Sequence, residues 1–114
     1  MQIKSIQPVY FSPTHTSAKI VTTIAEGMNI IVNKEIDLTY PSTNQKTLPS
    51  DTLAIIGVPT YAGRVTPTAL ERLQKIKGDN TPAIIVVLYG NRDYEDALLE
   101  LRNTAKQLGF VPIA

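Results

Sequence analysis

The 114-residue chain has no cysteine, no tryptophan and a single histidine, His15. Without cysteine it can form no disulfide, ligate no iron–sulfur cluster and offer no catalytic thiol. One histidine also rules out a multi-histidine zinc site. Neither sign of charge dominates, with 11 basic side chains against 10 acidic ones. Nucleic acid and anionic membrane both call for clustered Lys and Arg, so neither is an expected partner. Long apolar runs are missing too. The longest, such as Ala83 to Leu88, fall far short of the roughly 20 residues that span a bilayer. No basic-then-apolar leader opens the sequence, and the expected location is the cytoplasm. There is no internal repeat, low-complexity tract or Pro/Gly/Ser linker, which predicts one domain, of a length that typically carries a single core.

What is present is alternation. Apolar stretches of strand length recur at Ile6 to Phe11, Leu53 to Val58 and Ala83 to Tyr89, rich in Ile and Val and without in-out alternation. Such runs suit parallel strands buried on both faces. Ile36 to Leu38 is a shorter candidate, suited to an edge. Helical spacing lies between them: Ala18, Val21, Ile24, Ala25 and Met28 share one face, as do Leu70, Leu73 and Ile76, and then Leu98, Leu101, Ala105 and Leu108. Thr66-Pro67 reads as an N-cap with proline in the first turn, and Gly78 as the stop of that helix. Asp93 followed by Glu95 and Asp96 places acid in a first turn, and Gly109 follows the last helix as its C′ residue. Thr39 to Thr52 is polar, holds two prolines and has no period, which predicts a loop where a crossover helix would be expected. The resulting order, β-α-β-loop-β-α-β-α-β, predicts an α/β domain with a mostly parallel sheet and right-handed crossovers.

Open α/β sheets bind ligands outside the carboxyl ends of their strands, so the loops after the strong runs are the candidate sites. The first, Ser12-Pro13-Thr14-His15-Thr16-Ser17, packs four hydroxyls at a helix N-terminus. A phosphate there could accept from the amides of Thr14, His15, Thr16 and Ser17 and from the hydroxyls of Ser12, Thr14 and Thr16. The plainer alternative is an ordinary Ser/Thr cap cluster. No G-x-G-x-x-G and no G-x-x-x-x-G-K-[ST] is present, so dinucleotide and P-loop fingerprints are lacking. The second loop, Pro59-Thr60-Tyr61-Ala62-Gly63-Arg64, sets an aromatic beside a pliable backbone, which suits a planar ring. The third, Tyr89-Gly90-Asn91-Arg92-Asp93-Tyr94, combines turn chemistry with a second tyrosine near the same crevice. Each of these two can also be a simple strand-to-helix turn. Together the three describe a site for a phosphorylated planar ring.

The segment Val9-Tyr10-Phe11-Ser12-Pro13-Thr14-His15-Thr16-Ser17 resembles the phosphate loop of flavodoxins, commonly [ST]-x-T-G-x-T. The segments Ile56 to Val65 and Val87 to Leu98 look like the family's second and third flavin loops. The nearest likeness is to the flavodoxin domain of bacterial proteins in which that domain precedes a ferredoxin domain, and it covers nearly the whole chain. The resemblance implies a three-layer, doubly wound flavodoxin-like sheet of order 2-1-3-4-5, with its last strand and closing helix cut short near Phe110 to Ala114. It also implies an FMN site. Ser12, Thr14, His15, Thr16 and Ser17 would hold the phosphate; Thr60, Tyr61, Ala62 and Gly63 would line one side of the isoalloxazine, with Tyr61 stacking; Asn91, Arg92, Asp93 and Tyr94 would line the other.

The implied function is electron transfer in one- or two-electron steps to a redox partner, such as a ferredoxin-type protein or domain. No catalytic residue of the protein is needed for that role. Two alternatives stand beside it: an NAD(P)H-dependent quinone or flavin reductase, and a flavin-free interaction module. The sequence departs from the family twice. His15 stands where glycine is usual, so the backbone there must either avoid positive φ or bear a cost. The near-neutral charge, unlike that of strongly acidic free shuttles, favours work beside a specific or tethered partner. A sheet missing its closing helix would leave apolar surface exposed, which favours a homodimer or marginal stability.

Overall fold

Long Ile/Val runs become parallel strands here because each is flanked by partners on both sides. The computed structural model describes residues 2–42, 44–61, 64–88 and 95–114, with Tyr61 and Glu95 described by their backbone alone. Among these, the chain order is β1 (Ser5–Tyr10), α1 (Thr16–Glu26), β2 (Ile31–Val32), β3 (Ile36–Asp37), β4 (Lys46–Leu48), β5 (Thr52–Tyr61), β6 (Arg64–Val65), α2 (Pro67–Leu73), β7 (Ile76–Gly78), β8 (Thr81–Leu88), α3 (Glu95–Gln107) and β9 (Phe110–Pro112). The main sheet is hydrogen-bonded in the order β2-β1-β5-β8-β9, and every pair along that path is parallel. β3 also runs parallel beside β1, and β6 turns back antiparallel on β5. The molecule is therefore an α/β domain with a mostly parallel central sheet, an architecture compatible with flavodoxin-like and Rossmann-type folds. No helix among the described residues is long and apolar enough to cross a membrane.

Side-chain alternation along the strands sorts two cores. Val9, Phe11, Ala54, Ile56, Val58, Ala83, Ile85 and Phe110 face α2 and α3, whereas Ile6, Tyr10, Leu53 and Ile55 face α1. Two helices thus cover one face and one covers the other. On the α1 side, Ile84 and Val86 are only partly buried, and Val111 and Ile113 are 43% and 60% exposed.

The edge beside β1 is interrupted. Ile6 pairs with Val32 and Val9 with Ile36, so three residues, Asn33 to Glu35, stand opposite two. That surplus residue is a bulge, and its cause is Pro8. The carbonyls of Ile6 and Tyr10 accept from Asn33 and Leu38, so Pro8, between them, faces the same edge with no N–H to give. Gln7, fully buried, repairs the gap by donating its Nε2 to the carbonyls of Lys34 (2.9 Å) and Pro8 (3.0 Å).

Two sequence expectations need correction. The Leu70, Leu73, Ile76 spacing extends the second helix to Gly78, yet α2 ends at Leu73 with tightened bonds from Gln74 to Glu71 and from Lys75 to Arg72. Ile76 instead belongs to β7, drawn into a two-stranded parallel ribbon with β4. Lys75-Ile76-Lys77 satisfies the strand period as well as the helical one, and pairing decides between them. For the same reason Thr39 to Thr52 is not wholly loop, since Lys46–Leu48 supplies the ribbon's other strand. Gly78 ends no helix. Its N–H donates to the Leu108 carbonyl (2.8 Å), and any Cβ there would press on the Gly109 carbonyl. Gly109, in contrast, is the expected left-handed C′ residue, at φ 98°. Thr66 caps α2 by accepting from the Ala69 N–H at 3.3 Å, with Pro67 following.

α1 lies so close over the sheet that a Cβ on Gly57 would overlap the Cγ2 of Val21, itself fully buried. Gly57→Ala is therefore expected to lower stability by about 1–3 kcal/mol in chemical denaturation. The loss should shrink in a Val21→Ala background. Equal losses in both backgrounds would show that α1 does not rest on this glycine.

Candidate functional site

The chain leaves β1 through α1 to reach β2 and β3 on one side, then passes back to β5 on the other. Connections diverge at that point, which opens a crevice beyond the carboxyl ends of β1 and β5. The first loop and the ends of β5 and β8 lie at that side of the sheet. The end of β5 is tied to the end of β8 by the Thr60 hydroxyl, which donates to the Leu88 carbonyl at 3.0 Å. Beyond Thr60, β5 pairs with β6 through Thr60 and Val65 and through Tyr61 and Arg64. Ala62, Gly63, Asn91, Arg92, Asp93 and Tyr94 lie outside the described residues, as does the Tyr61 side chain.

The first loop is described throughout, and its expected residues divide into two groups. Ser12 and Ser17 are buried, whereas Thr14, His15 and Thr16 are exposed. The Ser12 hydroxyl accepts from the Ala18 N–H (2.9 Å) and its carbonyl accepts from the His15 N–H (3.1 Å). Ser12 therefore braces the turn, and the His15 amide is engaged within it. The Thr14, Thr16 and Ser17 N–H groups have no hydrogen-bond partner among the described residues. The Thr14 hydroxyl reaches that of Thr16 at 3.5 Å, and the first turn of α1 carries no acidic residue. Open amides, two hydroxyls and the positive end of an 11-residue helix thus lie together, with no acidic residue in the first turn of that helix. These groups fit a phosphate.

His15 resolves the question posed by its replacement of glycine. As N-cap it sits at φ 68° and ψ −2°, in the left-handed region, and its side chain makes no capping bond. A side chain in that conformation costs roughly 1–2 kcal/mol, and strain of this kind concentrates at functional turns.

Beside the loop, Tyr10 ends β1 almost wholly buried. Burial raises its pKa first, and the negative charges of Asp37 and Glu35 on the adjoining edge add to the shift, which keeps the phenol protonated. Three further residues shape the rim that sequence patterns do not mark. Thr39 accepts from the Ser12 N–H at 2.8 Å. Arg72 of α2 donates to the carbonyls of Leu38 (3.1 Å) and Thr39 and lies 5.7 Å from the Phe11 ring centroid. Glu100 of α3 accepts from Arg64 Nη2 (2.9 Å) through one oxygen and from the Val65 N–H (3.2 Å) through the other. The Arg64 hydrogen bond holds the Glu100 carboxyl below its usual range, the Val65 N–H adds to this, and partial burial opposes it. The only signal for these partnerships in the sequence is residue type, because each joins segments 27 or more positions apart.

No family model matches the chain, and no curated protein does either.

The left-handed turn makes a direct prediction. His15→Gly is expected to keep stability or raise it by up to about 1 kcal/mol, because relief of the left-handed cost outweighs the added chain entropy. His15→Val should lower it by about 1–2 kcal/mol, since a β-branched residue tolerates that region least. Denaturant midpoints in which Val is the better tolerated would contradict the turn's geometry.

Proposed function

We propose that the chain is a flavodoxin-like, FMN-binding electron-transfer domain of the cytoplasm. The observation that carries this is the open N-terminus of α1, where the Thr16 and Ser17 amides and the Thr14 and Thr16 hydroxyls stand with no acidic residue in the helix's first turn. The hydrogen-bonded order β2-β1-β5-β8-β9 supports the 2-1-3-4-5 arrangement when β2 and β3 are taken as one bulged edge strand. The likeness of three loops to the flavodoxin motifs supplies the rest.

Bound there, FMN would supply one- or two-electron transfer to a redox partner, and the protein binds and tunes it. Thr14, Thr16 and Ser17 hold the phosphate through N–H and O–H donors, a set able to bind a dianion without Lys or Arg because each charge-assisted bond is worth roughly 1.5–3 kcal/mol. His15 sets the turn that aims these donors. By the likeness of their loops to the flavodoxin motifs, Thr60, Tyr61, Ala62 and Gly63 would hold the ring on one side, and Asn91, Arg92, Asp93 and Tyr94 on the other. Glu100 fixes the base of the hairpin bearing Ala62 and Gly63 by gripping Arg64 and the Val65 N–H. The partner is a redox protein or domain, such as one of ferredoxin type. The apolar strip of Val111 and Ile113 on the thinly covered face is a surface that such a partner, or a second copy of the chain, would shield.

Fluorescence titration of the purified protein with FMN tests the proposal. Binding at micromolar concentration or tighter is expected. Thr14→Ala and Thr16→Ala should each weaken FMN by about 1–3 kcal/mol while leaving riboflavin nearly unchanged. No binding at micromolar FMN would sink the proposal, and equal losses for both ligands would misplace the phosphate.

A further inference from the structure

The connection from β3 to β5 has no helix, and the space a crossover helix would fill is not closed. Residues 38–42 and 44–46 run beside α2 and leave a cavity of about 610 Å³ between them. That size lies within the range of small-molecule sites, roughly 300–1,000 Å³. The cavity is separate from the α1 N-terminus, since none of Ser12 to Ser17 lines it.

Its walls are of two kinds. Buried Leu38 and Ile76, with half-buried Ile36, give an apolar floor, and the exposed ring of Tyr40 stands over it. The charged lining is uneven. Asp37 already accepts from the Thr39 N–H at 2.9 Å, and Arg72 is committed to the Leu38 and Thr39 carbonyls. Glu71 lines α2's flank. Lys46 and Lys75 both line the cavity, and the Lys46 N–H donates to the Lys75 carbonyl at 3.0 Å while Lys46 itself pairs with Ile76 in the β4–β7 ribbon. Among the described residues neither lysine has a carboxylate within ion-pair distance. An anion in the cavity would meet either ammonium with opposite charge.

We propose that this cavity is a binding site for a small amphipathic anion, an aromatic or aliphatic carboxylate whose apolar body lies on Leu38 and Ile76 beneath Tyr40 and whose charge meets Lys46 and Lys75. A helix from a partner protein is the other conceivable filler. Two lysines without an ion partner beside buried Leu38 and Ile76, in a cavity of small-molecule size, favour a small acid over a helix. The site is independent of the FMN proposal. The two are linked only through the chain, since Thr39, which accepts from the Ser12 N–H, lies between the cavity-lining Leu38 and Tyr40.

The test is a titration of the full chain with naphthoate, followed by amide chemical shifts, with naphthalenemethanol as its uncharged counterpart. Perturbations are expected to cluster on Tyr40 to Lys46 and Thr68 to Ile76. The alcohol should bind at least roughly tenfold more weakly, and Lys46→Ala combined with Lys75→Ala should weaken naphthoate by a similar factor. Both lysines border solvent, so the double variant should keep the wild-type spectrum elsewhere. Equal affinity for acid and alcohol, shifts confined to the Val111–Ile113 strip or to the Ser12–Ser17 loop, or no saturation at about millimolar naphthoate would each overturn the proposal, the last being the result if a partner helix is the true occupant.

Discussion

A chain of hydrogen bonds across the top of the sheet holds the crevice in shape. Arg72 grips the carbonyls of Leu38 and Thr39 from α2, the Thr39 hydroxyl accepts from the Ser12 N–H, and the Ser12 hydroxyl accepts from the Ala18 N–H of α1. Each link satisfies a group at the buried end of a strand or helix, where an unmade bond costs about 1–3 kcal/mol. In this way α2, the edge connection and α1 are fastened to one another through Ser12. The guanidinium over Phe11 adds a cation–π contact at the same place. With its own partners fixed, the turn at Ser12 presents the remaining N-terminal amides of α1 outward.

Packing gives those amides a fixed base. Gly57 lets α1 settle against β5, and Val21 and Ala25 are buried in the small core that the helix shares with Ile6 and Ile55. The larger core beneath α2 and α3 carries most of the buried apolar surface and anchors the far ends of β5 and β8. The sheet is thus firmly held on one face and lightly covered on the other. That asymmetry places rigid support behind the crevice and leaves apolar surface near β9 open for association.

Much of this was legible in the sequence because it depends on local pattern. The Ile/Val runs of β1, β5 and β8, the amphipathic α1, the Thr66-Pro67 start of α2 and the left-handed Gly109 all follow from period, cap and turn chemistry, as does α3 except that Ala97, and not the exposed Leu98, enters its buried face. What the sequence left open depends on partners distant along the chain. Ile76 has a spacing common to helix and strand, and only β4 decides its state. β2 is two residues long and adjoins a helix whose apolar face runs on to Met28, so it has no independent signal. At the site, the hydroxyl-rich loop was visible as a phosphate candidate, but the division of labour within it was not. Ser12 faces inward because Thr39 and Ala18 claim it, and no local rule foretells that. The cavity beside α2 follows from a helix that the polar 39–52 segment fails to form, a consequence of composition that appears only once α2 and β4 are in place.

The central claim, that a phosphorylated flavin sits at the N-terminus of α1, is tested most directly by following backbone amide shifts during titration with FMN. The Thr16 and Ser17 amides should move most, with Thr14 and Thr60 following, and riboflavin should leave the Thr16 and Ser17 signals nearly still. Saturable FMN binding that shifts the Tyr40 to Lys46 segment while the α1 amides stay unmoved would contradict the account.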